Sequence, residues 1–212
     1  MLRRRLSQSL LRARSTRTIF ALALWAVVLA GGFRQMIQYE VTAGSVGETP
    51  KEWPAGAPVK FEASKSNLVM FAHPKCPCTR ASVTELVKVL THAQGAIKAT
   101  VLFYVPREES GWEKEKLWRT AAAIPGVDVA ADPDGIWAKH FGAETSGHVV
   151  LFDRGGHLVF RGGITGARGH EGDNAGQTAV VNLALTRHSS AESTAVFGCS
   201  LSTPALEFAQ NP

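Results

Sequence analysis

Cys76-Pro77-Cys78 sits between an uninterrupted apolar run, Asn67-Leu-Val-Met-Phe-Ala72, and a stretch in which Val83, Leu86, Val87 and Leu90 recur at helical spacing. The apolar run reads as a buried strand and the periodic stretch as a helix packed by one face. The thiol pair therefore stands at a helix N-terminus, where unpaired backbone N–H groups and the helix dipole favour thiolate over thiol. That junction points to reactive cysteines rather than packed ones. Cys199 is the one other cysteine, so no disulfide framework absorbs the pair. Lys75 and Arg80 flank the motif and add positive charge. His73, three residues before Cys76, is placed to stabilise its thiolate, and Thr79 and Ser82 are candidate helix caps.

Downstream, strand-like and helix-like segments alternate. Ala99–Val105 reads as a second buried strand ended by Pro106, and Trp112–Ala123 as a helix stopped by Pro125-Gly126. Val127–Ala130 is a short strand, and Pro133–Phe141 a short helix with proline in its first turn. Val149–Asp153 and Leu158–Arg161 flank an Arg154-Gly155-Gly156 turn, the pattern of a β-hairpin. A glycine-rich polar loop from Gly162 to Gly176 leads to a last helix, Gln177–Arg187. The order predicts an α/β domain, a mixed sheet with flanking helices: a parallel core with an antiparallel hairpin at its edge. Trp112, Trp118 and Trp137 read as packing aromatics.

The formal net charge of +5 is concentrated at the start of the chain. Six of the 23 basic residues (Arg3, Arg4, Arg5, Arg12, Arg14 and Arg17) precede residue 18, leaving 17 against 18 acidic ones. Nothing in this balance asks for a nucleic-acid partner. The arginines lead into the uncharged apolar segment Thr18–Phe33, which Met36 and Ile37 extend past a single Arg34 able to snorkel. This predicts a basic cytoplasmic arm over 1–17 and one N-terminal transmembrane helix over 18–38. Positive charge on the N-terminal side directs the rest of the chain across the membrane, where disulfides persist. A cleaved signal peptide is the rival reading, since Ala30-Gly31-Gly32 offers small residues. Arg3-Arg4-Arg5 lie too far upstream for a good twin-arginine signal. Residues 39–58, rich in glycine and proline, read as a linker; 59–188 as the domain; and 189–212 as a C-terminal tail carrying Cys199.

Over roughly Val59–His188 the chain resembles the thioredoxin-like superfamily: a cysteine motif after the first core strand, a long helix behind it, and a terminal hairpin followed by a helix. Three segments also resemble RedB-type proteins: His73-Pro-Lys-Cys-Pro-Cys-Thr-Arg-Ala-Ser82, Gly162-Gly-Ile-Thr-Gly-Ala-Arg-Gly-His-Glu-Gly-Asp-Asn174 and Val196-Phe-Gly-Cys199. The superfamily resemblance implies thiol–disulfide chemistry, peroxide reduction or copper handling. Cys76 falls at the superfamily's nucleophile position, and Thr79 where the second cysteine of a C-x-x-C motif would lie. The Pro-x-x-x-Thr-x-x-Cys context of peroxiredoxins is missing. Gly147, in Thr145-Ser-Gly-His-Val149, stands in place of the superfamily's cis-proline before the hairpin strand; that proline contacts substrate backbone and in some members discourages metal binding, so the resemblance implies easier metal binding here.

Two chemistries follow. In thiol–disulfide exchange with protein thiols or disulfides, Cys76 attacks and Cys78 resolves the mixed disulfide, with no cofactor. His73, Gly147, His148, Arg168 and His170 are then the candidate substrate-binding residues. A C-x-C disulfide closes a very small ring, so such a couple is expected to be more oxidising than a relaxed one. In the alternative, Cys76 and Cys78 bind or deliver copper, with His170 or Cys199 completing a soft ligand set and His73 and His148 as further candidates. A fixed, non-catalytic disulfide is a third reading.

Overall fold

The computed structural model describes residues 2–107, 111–112, 115–189 and 191–201. It divides into two units, Met1–Glu40 and Val41–Pro212. The first is helix α1, Leu2–Val41. Within it, Thr16–Val41 is long and apolar enough to cross a membrane by length and composition. Its 26 residues extend about 39 Å at 1.5 Å per residue, more than the roughly 30 Å of a bilayer's hydrocarbon core. Its large apolar side chains, among them Phe20, Trp25 and Phe33, are exposed.

The second unit is built on a five-stranded sheet in the order β3-β2-β1-β4-β5. In chain order the elements are β1 Ser66–Ala72, α2 Thr79–His92, β2 Ile97–Val105, α3 Lys116–Ala122, β3 Val127–Pro133, α4 Ile136–His140, β4 His148–Phe152, β5 Leu158–Gly163 and α5 Ala175–Thr186. β1, β2 and β3 run parallel; β4 is antiparallel to β1, and β5 to β4. β1 is buried along its whole length, as its unbroken apolar run requires. Its residues alternate between two cores. Leu68, Met70 and Ala72 join Val83, Leu86 and Val89 of α2 and Val180 and Leu183 of α5. Val69 and Phe71 join Phe141, Val150 and Phe152, with Trp53 packed against them.

Several boundaries differ from the sequence expectation for identifiable reasons. β3 continues to Pro133, and α4 begins only at Ile136, after Gly135 in a left-handed conformation. Asp132 sets that start, because its two carboxylate oxygens accept the backbone N–H groups of Trp137 and Ala138 at 2.8 Å each. α5 starts two residues earlier than periodicity suggests, since Asn174 caps it by accepting from the Gln177 amide at 2.9 Å. The expected linker is laid along the domain over part of its length. Gly47 donates to the Gly142 carbonyl, Trp53 donates to Gly156, and Lys51 accepts from Leu158. Trp53 meets Phe61, Phe141 and Phe152 at ring separations of 5.3, 5.9 and 5.3 Å.

The tail folds back as well. The Arg161 N–H donates to the Glu192 carbonyl, and Thr194 donates to the Arg161 carbonyl, so the segment runs beside β5. It then crosses to the loop before β4, where Ser146 donates to the Cys199 carbonyl and Leu201 to that of Glu144. Two glycines permit the approach. A Cβ at Gly163 would lie 2.6 Å from the Ala195 carbonyl oxygen, and one at Gly198 would collide with that of Ser146.

Candidate functional site

β1 delivers the chain to His73, and a turn closed by Cys76 N–H donating to the His73 carbonyl (3.0 Å) leads into the motif. Arg80 and Ala81 donate to the carbonyls of Pro77 and Cys78, so α2 starts winding at the second thiol. Cys76 is buried at 3 % exposure, while Cys78 and Cys199 are half-buried. All three are free thiols. Their sulfurs lie within 4.8 Å of one another, and Cys76 Sγ and Cys199 Sγ are 3.0 Å apart.

This crowding decides which sulfur carries charge. The Cys76 thiol is held far below its ordinary range by hydrogen bonding from Cys199, then from Cys78 and Thr79, against the opposing effect of burial. Cys199 is pushed up, first by its contact with Cys76, then by Cys78 and burial. For Cys78 the contact with Cys199 pulls down, but the contact with Cys76, burial and the Cys76 charge together raise it. Hydrogen bonding within the cluster thus favours the thiolate at Cys76 over its two neighbours. Lys75 Nζ sits 4.3 Å over the Trp112 ring, and Arg80 is exposed.

Ser146, which sequence reasoning did not single out, ties the site together. Its hydroxyl accepts the His73 N–H at 2.7 Å and lies 2.6 Å from Thr79 Oγ1, and its own N–H holds the Cys199 carbonyl at 2.8 Å. With the Ser146 hydroxyl donating to Thr79, the Thr79 proton is left for the Cys76 sulfur. A serine in a loop carries no signal of this kind, because its partners lie 67 and 73 residues away in sequence.

The remaining candidates divide. Arg168 belongs to the site: its Nη1 donates to the Gly198 carbonyl, one residue before Cys199, and its charge works against the rise in the Cys78 pKa. His170 is exposed and does not join the thiol cluster. His73 is fully buried, stacked on Tyr104 at 5.6 Å and edge-on to Trp112 at 5.4 Å. Burial lowers its pKa to about 4, so at neutral pH it is an uncharged imidazole and supplies no positive charge to the thiolate. His148 is fully buried within β4, opposite Phe71, and burial lowers it to about 4 as well. Gly147 adopts φ +92°, and its amide donates to the Phe71 carbonyl at 2.7 Å, so it has no N–H left for a client backbone. The described residues contain no cis peptide bond. A Cβ at Gly147 would come 2.7 Å from Ser82 Oγ, so Ser82 packs under this loop.

An open groove of about 390 Å³ adjoins the motif, lined by Pro74, Lys75, Cys76, Pro77, Arg80 and the α3 residues Lys116, Leu117 and Thr120, among others.

No family model matches the chain, and no curated protein does. Solved structures do. A hypothetical protein from Sinorhizobium meliloti 1021 aligns at 21 % identity and a TM-score of 0.55, covering 78 % of this chain and 96 % of its own. An uncharacterized conserved protein from Geobacillus kaustophilus aligns at 17 % identity and the same TM-score, covering 78 % and 94 %. A putative thioredoxin from Neisseria meningitidis aligns at 17 % identity and a TM-score of 0.46, covering 71 % and 95 %. With its mixed sheet ordered β3-β2-β1-β4-β5 and a cysteine pair between β1 and α2, this chain has a thioredoxin-like fold.

Proposed function

We propose that this protein is a membrane-anchored thiol–disulfide oxidoreductase in which Cys76 is the attacking thiolate. The observation that carries the reading is the thiol cluster. A buried sulfur at a helix start lies 3.0 Å from that of Cys199, within 4.8 Å of that of Cys78, and lines an open groove. The thiolate is the nucleophile in disulfide exchange, and a second thiol in contact with it is what releases a mixed disulfide. Cys78 is the resolving candidate by motif. The resemblance of the cysteine motif, the glycine-rich loop and the Val196–Cys199 segment to RedB-type proteins agrees with a redox site assembled from all three. The apolar Thr16–Val41 helix, preceded by arginines, supports an anchor with its N-terminus in the cytoplasm and the domain on the oxidising side. The test is reduction of insulin disulfides by the full chain with dithiothreitol as electron source. Cys76→Ser abolishes it while leaving the fold intact; undiminished turnover in that variant would refute the assignment.

One observation favours a second reading. Three sulfurs within 4.8 Å of one another form a soft ligand set of the kind that holds Cu(I). His170 is exposed and outside it, so such a module would use Cys76, Cys78 and Cys199. Competition against a Cu(I) chelator checks this: stoichiometric copper retained by the wild type and lost in all three single serine variants would favour it.

A further inference from the structure

We infer that Cys199, rather than Cys78, is the thiol that resolves a mixed disulfide on Cys76, making the C-terminal strap a working part of the redox site. The inference rests on the proposed exchange reading and adds to it the identity of the second redox centre.

The geometry favours the distant cysteine over the adjacent one. Cys78 is two residues from Cys76 and already helical, at φ −67° and ψ −33°. A bond between cysteines this close in sequence must close a very small ring. Cys199 comes from another part of the chain, with its sulfur 3.0 Å from that of Cys76, about 1 Å beyond a covalent S–S bond. It is held there from three sides. Ser146 N–H grips its carbonyl, Arg168 grips the carbonyl of Gly198, and Gly44 N–H donates to that of Val196 at 2.8 Å. Gly198 has no room for a side chain against the Ser146 carbonyl. Cys76 lines the groove, the side from which a client disulfide would reach it.

The cycle balances without another group. The Cys76 thiolate attacks a client disulfide, forming a Cys76–client bond and releasing one client thiolate. Cys199 attacks Cys76 Sγ, its proton passing to the departing client sulfur. The Cys76–Cys199 disulfide forms and the second client sulfur leaves as a thiol. The client gains two electrons and the protein loses them, and a dithiol donor restores the protein by the reverse exchange. Cys78 remains a thiol throughout.

The test uses the full chain in detergent micelles, with oxidised glutathione as the disulfide probe and mass spectrometry of alkylated digests as the readout. The wild type should give a Cys76–Cys199 cross-link, and so should Cys78→Ser. Cys199→Ser should instead accumulate glutathione on Cys76 as its main product. A Cys76–Cys78 cross-link in the wild type, with Cys199→Ser clearing its adduct as fast as the wild type, would overturn the inference and leave exchange standing. No adduct on Cys76 in any protein would overturn both. The wild-type cross-link requires no substitution, so a variant that folds poorly does not affect it.

Discussion

Replacing His148 with phenylalanine should remove much of the protein's sensitivity to acid. The His148 side chain is fully buried, with no hydrogen-bond partner for either ring nitrogen among the described residues. It faces Phe71 across β1 and shares the strand face of Val150 and Phe152. Burial, with a smaller effect from Arg161, lowers its pKa from 6.5 to about 4. Because the folded value is the lower one, the unfolded chain takes up a proton in the window between them while the native protein does not. Stability therefore falls as pH drops through that window and levels off below about 4. The complete loss is about 3 kcal/mol at 1.36 kcal/mol for each tenfold change. Most of it is lost between roughly pH 7.5 and pH 4.5. Phenylalanine fills a similar space with no proton to bind. Urea unfolding of both proteins at those two pH values should show the wild type losing about 2–3 kcal/mol more than His148→Phe. His73, lowered to about 4 by burial, contributes to both proteins and cancels in the difference. Equal acid losses in the two proteins would refute the reasoning, because His148 would then titrate folded much as it does unfolded.

Three further outcomes follow from the site. Ser146→Ala strips the His73 amide and Thr79 hydroxyl of their common partner, costing about 1–3 kcal/mol in urea unfolding and raising the pH at which Cys76 becomes alkylated; unchanged alkylation would dismiss the Thr79 link. Gly198→Ala sets a Cβ against the Ser146 carbonyl, lifting the strap so that iodoacetamide labels Cys199 faster, with α-helical circular dichroism retained. In the native chain, Cys76 should react with small alkylating agents at pH values well below those needed for Cys199, because the thiolate is placed on Cys76; the opposite order would place the charge elsewhere.

The sequence made the sheet readable where local chemistry decides it. The apolar runs at β1 and β2 are buried strands because both faces of a central strand pack in a core. The hairpin follows from alternating apolar segments around Gly155-Gly156, where Gly156 adopts φ +84°. The cysteine pair was visible as a site because a strand-to-helix junction constrains it. The strap was not visible. Residues 191–201 show no apolar periodicity, and their place depends on backbone hydrogen bonds to Arg161, Glu144 and Ser146 that any residue type makes. Cys199 therefore read as a tail cysteine and candidate ligand, with nothing in the sequence to place its sulfur 3.0 Å from that of Cys76. Arg168 stood out in its glycine-rich loop, but its partner, a backbone carbonyl on the strap, leaves no mark in sequence. His73 and His148, candidates in the sequence, are fully buried and lowered to about 4 by burial, and neither joins the thiol cluster.

The most direct test of the central claim is a redox titration of the full chain in thiol–disulfide buffers, with each cysteine assigned by alkylation and mass spectrometry. A thiol–disulfide oxidoreductase should show a reversible two-electron couple that includes Cys76, at a potential within roughly −120 to −270 mV, and lose it entirely in Cys76→Ser. Thiols that stay reduced across that range, or that resist alkylation until a Cu(I) chelator is added, would contradict it.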